Sequence, residues 1–200
     1  PQVGAEGQRR LEQSSVLVIG LGGLGSVASL YLANAGIGHL VINDFDRVDA
    51  TNLPRQILFR ESDVGEYKTH ATAERLRAAN PAPHVNVLNR RLDADELRDA
   101  VSACGLILDC TDNFPTRVAL NAACVRARKP LVTGAAIRFE GQVAVFPNDD
   151  PAGPCYRCLY SDEDDNFANC AGQGILAPVA GMIGALLATE ALKLLLGLES

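Results

Sequence analysis

The residues able to do chemistry fall into a short series along the chain. Gly20-Leu-Gly-Gly-Leu-Gly25 comes first, then Asp44, Thr51-Asn-Leu-Pro-Arg-Gln56, Lys68 and Asp109-Cys-Thr-Asp-Asn113. Gly20, Gly22 and Gly25 have the G-x-G-x-x-G spacing that lets backbone approach a phosphate at a helix N-terminus, which favours its negative charge. Gly23 adds room. Asp44 follows where the ribose-binding carboxylate of a dinucleotide fold belongs, about 20 residues past the glycines. On these residues alone a nicotinamide-dependent oxidoreductase is fully supported, with a ligand-free Gly-rich turn as the plain alternative.

The residues after Asp44 point away from hydride transfer. Thr51, Asn52, Arg55 and Gln56 lie just beyond it, and Lys68 opens the next helix. Beside phosphates, Arg55 and Lys68 would stabilise charge developing on a transferring phosphoryl or nucleotidyl group. Taken singly, each is more often a solvated surface cation; their joint position after the glycines and Asp44 favours the phosphate role. At the end of the apolar run Gly105-Leu-Ile-Leu108, a carboxylate can hold Mg²⁺ against phosphate oxygens. Asp112 and Asn113 read equally as caps of the helix that starts near Phe114.

Cys155 and Cys158 have the C-x-x-C spacing of one half of a tetrahedral zinc site, and no second C-x-x-C occurs in these residues. Cys104, Cys110 and Cys124 sit in strand or helix patterns and read as small buried apolar residues. Cys170 stands in a Gly-rich polar loop before the last helix. There a thiol is either a nucleophile with a lowered pKa or a loop residue without function.

Several elements must position these groups. Val16–Ile19 reads as a strand, the segment through about Ala35 as a helix, and His39–Asp44 as a second strand. A cap at Asp49, Thr51 or Asn52 follows, then a helix from about Lys68 that stops at Asn80-Pro81 and the alternating strand "HVNVLNRRL". "DADELRDAV" is a capped helix, "GLILDC" a strand, and "NFPTRVALNAACVRARK" a helix with Pro in its first turn. Two β-like runs then flank a polar turn, Arg138-Phe-Glu-Gly141. The expected fold is α/β: a Rossmann-like, mostly parallel sheet with helices on both faces and an antiparallel hairpin at the later edge. The expected organisation is a single domain over residues 1–200.

Two hundred residues, nearly half hydrophobic, suffice for one such core. A formal net charge of -6 and no basic stripe argue against a protein that coats nucleic acid or an anionic membrane. The first residues lack the pattern of a signal or transit peptide, so the expected location is cytoplasmic. Uneven cysteine spacing argues against a disulfide framework. The apolar stretch Gly174–Leu198 is interrupted by Pro178, Thr189, Glu190 and Lys193, and is expected to be a core or interface helix rather than a membrane span. "SDEDDN", residues 161–166, reads as a solvated loop.

Taken together the motifs resemble the ThiF/MoeB/HesA adenylyltransferases, relatives of the ubiquitin-activating enzymes. The resemblance runs through nearly the whole chain: "GAEGQRRL", "VLVIGLGGLGS", "DFDRVDATNLPRQ", "VGEYK", "LDCTDN", "GAAIRFEGQVAVF", "PCYRC" and "APVAGMIGALLATEALKLL". It implies that ATP adenylates the C-terminal glycine carboxylate of a ubiquitin-like sulfur-carrier protein ending in Gly-Gly. Pyrophosphate leaves, and sulfur then replaces AMP to give a thiocarboxylate for thiamin, molybdopterin or related sulfur transfer.

By the same resemblance Gly23 lies at the phosphates, Asp44 on the ribose, Thr51 to Arg55 around the nucleotide, Lys68 on phosphate, and Asp112 with Asn113 at Mg²⁺ and ATP. Arg55, Lys68 and Asp112 are then the expected catalytic residues, with Cys170 a candidate carrier-linking thiol. A sulfurtransferase or cysteine desulfurase is the implied sulfur donor, and a homodimer the implied assembly. Two family features are missing from these 200 residues: an Arg-aromatic-x-Arg motif before "GAEGQ", which supplies an Arg to the neighbouring subunit's ATP site, and a second Cys pair beyond Ser200 that completes the Zn²⁺ site. Arg9 and Arg10 fall after that motif's position. The chain is therefore expected to be a fragment of a longer protein, with a non-catalytic carrier-binding module as a further alternative.

Overall fold

Apolar side chains run continuously through the central strands, so both faces of the sheet must be covered. Val16, Val18, Leu40, Ile42, Leu106 and Leu108 bury on one side; Leu17, Ile19 and Ile107 bury on the other. The structure, a computed structural model describing residues 3–160 and 174–198, resolves this demand as one six-stranded sheet. Its strands are β1 (Ser15–Ile19), β2 (His39–Asn43), β3 (His84–Leu88), β4 (Leu106–Asp109), β5 (Leu131–Ile137) and β6 (Glu140–Phe146), in the order β3-β2-β1-β4-β5-β6. All pairings are parallel except β5 with β6, the expected hairpin at the later edge.

Four helices cover one face: α1 (Gly4–Gln13), α2 (Gly25–Asn34), α3 (Lys68–Ala79) and α7 (Ala177–Leu196). The other face carries α4 (Ala94–Ala103), α5 (Phe114–Ala127) and the short α6 (Tyr156–Leu159). The helix starts follow local chemistry. Asp93 caps α4 through Asp95 and Glu96 N–H and forms a capping box with Glu96, and Asn113 caps α5 by accepting from Thr116 N–H at 3.1 Å. No motif announced α1, whose buried side contributes little beyond Gly7 and Leu11.

The hairpin is tighter than the sequence suggests. Only Arg138 and Phe139 form the turn, with Arg138 in the left-handed region at φ 51°, and Glu140 and Gly141 already pair within β6. By length and composition α7 could cross a membrane. Here it buries Val179, Ala180, Ile183, Leu187, Ala188 and Ala191 against the sheet and α2, which is the use expected of a core helix. The acidic run 161–166 lies outside the described residues.

β1 and β4 are neighbours, yet the chain leaves them in opposite directions, to β2 and to β5. That is the topological switch point, and the crevice outside the carboxyl ends of these two strands is where open α/β sheets bind ligands. The glycine loop follows β1 there. Gly20 takes φ +87°, and a Cβ on it would lie 2.8 Å from the Cys110 carbonyl oxygen. Gly25 is tighter still, since a Cβ would lie 1.8 Å from the Gly20 oxygen, whereas at Gly22 the nearest atom is Gln56 Nε2 at 3.7 Å. Gly25→Ala is therefore expected to cost about 3 kcal/mol or more and Gly22→Ala less than about 1 kcal/mol. Thermal unfolding of the two variants checks this, and equal melting temperatures would refute it.

Candidate active site

Asp44 ends at the crevice but is only 8% exposed, and both its oxygens are in use. Oδ2 accepts the Leu21 N–H at 2.7 Å and Oδ1 accepts the Asp46 N–H at 2.8 Å. The carboxylate thus holds the glycine loop to the end of β2, and a ribose hydroxyl would meet only its remaining lone pairs. Each oxygen keeps further acceptor capacity, so this use does not compete with the ribose role that the resemblance implies.

The segment after Asp44 folds into a compact turn. Asp49 caps the single 3-10 turn Ala50–Asn52, accepting from Thr51 N–H at 2.8 Å and Thr51 Oγ1 at 2.5 Å. The Arg55 guanidinium bends back over this turn to the Asn52 side-chain oxygen and, at 3.4 Å, to the Thr51 carbonyl. Thr51 and Asn52 therefore orient Arg55. Hydrogen bonds from Thr51 hold the Asp49 carboxyl below its ordinary value, and the positive charges of Lys68 and Arg55 add to them, so these two cations share one neighbourhood.

Arg55 also defines the glycine loop from outside. A Cβ on Gly23 would lie 2.9 Å from the Arg55 carbonyl oxygen and 2.9 Å from Ala180 Cβ of α7. The absence of a side chain at Gly23 is thus required by packing of the protein on itself, a constraint separate from clearance for a ligand. Gln56 is buried beside Gly22, and its Oε1 has no partner. A buried carbonyl oxygen left unsatisfied at a phosphate-type loop is an acceptor waiting for a donor.

Lys68 is the first residue of α3 and is buried; its Nζ donates to Asp46 Oδ2 at 2.9 Å. On the opposite wall, the sequence offered two carboxylates, and the structure separates them. Asp109 is the last residue of β4 and fully buried, its Oδ1 accepting from Thr111 N–H and Oγ1 at 3.0 and 2.7 Å and its Oδ2 from Thr133 Oγ1 at 2.9 Å. Asp112 is exposed and has no hydrogen-bond or ionic partner among the described residues. Of the Asp112–Asn113 pair, then, Asn113 spends its side-chain oxygen on the cap and Asp112 keeps its own free.

Sequence reasoning missed Arg117. It lies on α5, 8% exposed, and its Nη2 donates to the Thr111 carbonyl and, at 3.0 Å, to the Gly134 carbonyl. Burial pushes its pKa down, but Asp109, with Tyr156 and Cys110 adding to it, more than offsets that, so the guanidinium is held in its charged form. A single Arg in a helix pattern reads as a surface cation, so no local signal distinguishes it.

Cys155 and Cys158 face one another with their sulfurs 3.9 Å apart, beside a cleft of about 540 Å³ lined in part by Arg128, Asn148 and Asp150. Asn121 Nδ2 donates to Cys155 Sγ at 3.5 Å while its Oδ1 accepts the Tyr156 N–H at 3.0 Å. Burial raises the Cys155 pKa, but the hydrogen bonds from Asn121, the Arg157 and Cys158 amides and the Cys158 thiol prevail, and the net shift is downward. The buried thiols of Cys104, Cys110 and Cys124 shift upward by burial, Cys124 to about 12. In chelator-treated protein, iodoacetamide at about pH 8 should therefore alkylate Cys155 well before Cys104, Cys110 or Cys124. As pH falls toward about 7 its labelling should decline less than that of an ordinary thiol, since a lowered pKa preserves thiolate. Peptide mapping checks both, and uniform labelling would refute them. Cys170 lies outside the described residues.

These groups lie beyond the carboxyl ends of the central strands: Gly23 approaches Arg55, Gly20 approaches Cys110 and Thr111, and Asp44 and Asp46 link the glycine loop to Lys68. The ThiF family profile matches residues 1–200. The chain belongs to the ThiF family. It is 46% identical over 198 residues to the sulfur carrier protein ThiS adenylyltransferase of Escherichia coli K12, covering 99% of this chain and 78% of that one. The molybdopterin-synthase adenylyltransferase of the same organism is 46% identical over 192 residues, covering 96% and 77%. Among solved structures, E. coli MccB with ATP superposes with a TM-score of 0.83 at 28% identity, covering 95% of this chain and 58% of that chain. The chain thus spans less than three fifths of MccB. As a member of this family the chain is an adenylyltransferase by class, and the mostly parallel sheet with its antiparallel edge pair is the fold it shares with MccB.

Proposed function

We propose that this protein uses ATP to adenylate the C-terminal glycine carboxylate of a ubiquitin-like sulfur-carrier protein, releasing pyrophosphate, as the step before thiocarboxylate formation. One observation supports the reading: a glycine loop, an oriented Arg55, a buried Lys68 and a free Asp112 all lie beyond the carboxyl ends of the strands around the switch point. No helper residue for hydride transfer is needed in this arrangement, and every one of these groups has a task in nucleotidyl transfer. The α2 N-terminus, which no side chain caps, receives the phosphates through its free N–H groups. The carrier's carboxylate attacks the α-phosphorus, and Arg55 and Lys68 stabilise the charge that builds on the phosphate oxygens as pyrophosphate leaves.

Asp112 fits Mg²⁺, because an exposed carboxylate without a protein partner is the hard oxygen donor such an ion takes while keeping several waters. Bound there, the ion would neutralise developing phosphate charge. The Cys pair fits Zn²⁺: two thiolates on one tetrahedral ion stand about 3.8 Å apart, given Zn–S bonds of about 2.3 Å, and the sulfurs are 3.9 Å apart here. Among the described residues no cluster of three metal-binding side chains occurs, so the pair offers half of a tetrahedral ligand set. The ion would hold α6 in place.

The reading includes a homodimer and a cytoplasmic location. The outer side of α7 leaves Met182 and Leu186 exposed at 60% and 49%, a face suited to burial against a second subunit. A sulfurtransferase or cysteine desulfurase then supplies the sulfur. The test is to incubate the protein with MgATP and a carrier ending in Gly-Gly and to weigh the carrier intact. A carrier-AMP mass increment supports the reading; its absence with every such carrier, alongside tight NAD binding, would overturn it.

A further inference from the structure

Lys68 is gripped at both ends by one residue. Its ammonium donates to Asp46 Oδ2 at 2.9 Å, and its backbone N–H donates to the Asp46 carbonyl at 3.0 Å. Asp46 is itself fixed, because its N–H donates to Asp44 Oδ1 and Asp44 Oδ2 accepts the N–H of Leu21 in the glycine loop. Flanking contacts tighten the clasp. Val48 N–H donates to the Glu66 carbonyl at 2.8 Å, Gly65 N–H to the Val48 carbonyl at 2.9 Å, and the Arg47 guanidinium lies 3.8 Å above the Tyr67 ring. An unbroken run of hydrogen bonds therefore leads from the phosphate loop through Asp44 and Asp46 to the lysine.

The two partners differ in exposure: the Lys68 side chain is 7% exposed and that of Asp46 53%. A pair half in water contributes little to stability. What it supplies is direction, since a flexible four-carbon stem would otherwise sample many rotamers.

We propose that Asp46 is the positioning residue for Lys68, aiming its ammonium at the phosphate oxygens that arrive on the glycine loop. Asp46 acts through the lysine and through Asp44, without itself needing to touch nucleotide. The proposal rests on the adenylation reading for its purpose, and on the clasp alone for its geometry.

The chain has three lysines, Lys68, Lys129 and Lys193, so acetylation by an N-hydroxysuccinimide ester can be followed site by site by mass spectrometry. Asp46→Asn should raise the Lys68 acetylation rate about tenfold, leave Lys129 and Lys193 unchanged, and be reversed in part by Asp46→Glu. Equal Lys68 rates in native and Asp46→Asn protein, or a rise at all three lysines together, would overturn the proposal. In pyrophosphate exchange, Asp46→Asn should lower the rate at saturating MgATP about tenfold while changing the ATP KM less than about threefold. It should add little to the loss caused by Lys68→Ala, and additive losses would overturn a role exerted through Lys68. If the native protein supports no exchange with any carrier, the adenylation reading falls and the acetylation rates still decide the clasp.

Discussion

Replacing Asp112 by Ala should abolish carrier-dependent pyrophosphate exchange, by about a thousandfold or more, while the protein melts within about 2 °C of the native chain. The separation is possible because Asp112 has no structural duty. It is exposed, and no described residue pairs with it, whereas the cap that starts α5 is supplied by the neighbouring Asn113. Losing Asp112 removes the oxygen donor proposed for the metal and nothing that the fold uses. Asn113→Ala should behave in the opposite way, lowering stability by about 1 kcal/mol through the lost cap. Steady exchange in Asp112→Ala would discard the metal role; a large drop in melting temperature would show that the loop depends on it.

Asp109→Ala should cost about 3–5 kcal/mol of stability, read from the urea midpoint. Asp109 is fully buried with three residues arranged around it: Thr111 donates twice, Thr133 once, and Arg117 supplies the opposing charge. Removing it leaves the Arg117 guanidinium buried without its counter-charge and two hydroxyls without acceptors. The same network ties the Thr111 carbonyl on one side to the Gly134 carbonyl on the other, so it also sets the loop that carries Asp112. Activity of any folded fraction should therefore fall as well. A midpoint unchanged within error would contradict the assigned role of the buried pair.

Much of this layout is legible in the sequence because it depends on local rules. Apolar runs ending in glycines or acids mark the parallel strands, Asp93 and Asn113 sit where capped helices begin, and Pro81 follows the end of α3. The shared sheet edge was legible too, since Gly20–Gly25, Arg55, Lys68 and Asp112 all come between a strand's carboxyl end and the body of the next helix, and the topology carries such segments to one edge. What stayed hidden was division of labour between similar groups. Asp109 and Asp112 are three residues apart, but one lies in the last buried step of β4 and the other past it, a difference set by strand register with β1 and β5.

Likewise the bonds by which Asp44 holds the glycine loop and Asp46 holds Lys68 join segments that no local spacing links. Gly23 is explained by contact with Arg55 and with α7, whose Ala180 is 157 positions later in the chain. Arg117 and α1 depend on contacts between distant segments, and no spacing within one element encodes those.

The most direct test of the account is exchange of labelled pyrophosphate into ATP, with and without a small protein ending in Gly-Gly. Exchange that requires the carrier, disappears when its terminal glycine is removed, and is lost in Asp112→Ala is the expected result. ATP turnover or NAD binding indifferent to every such carrier would contradict it.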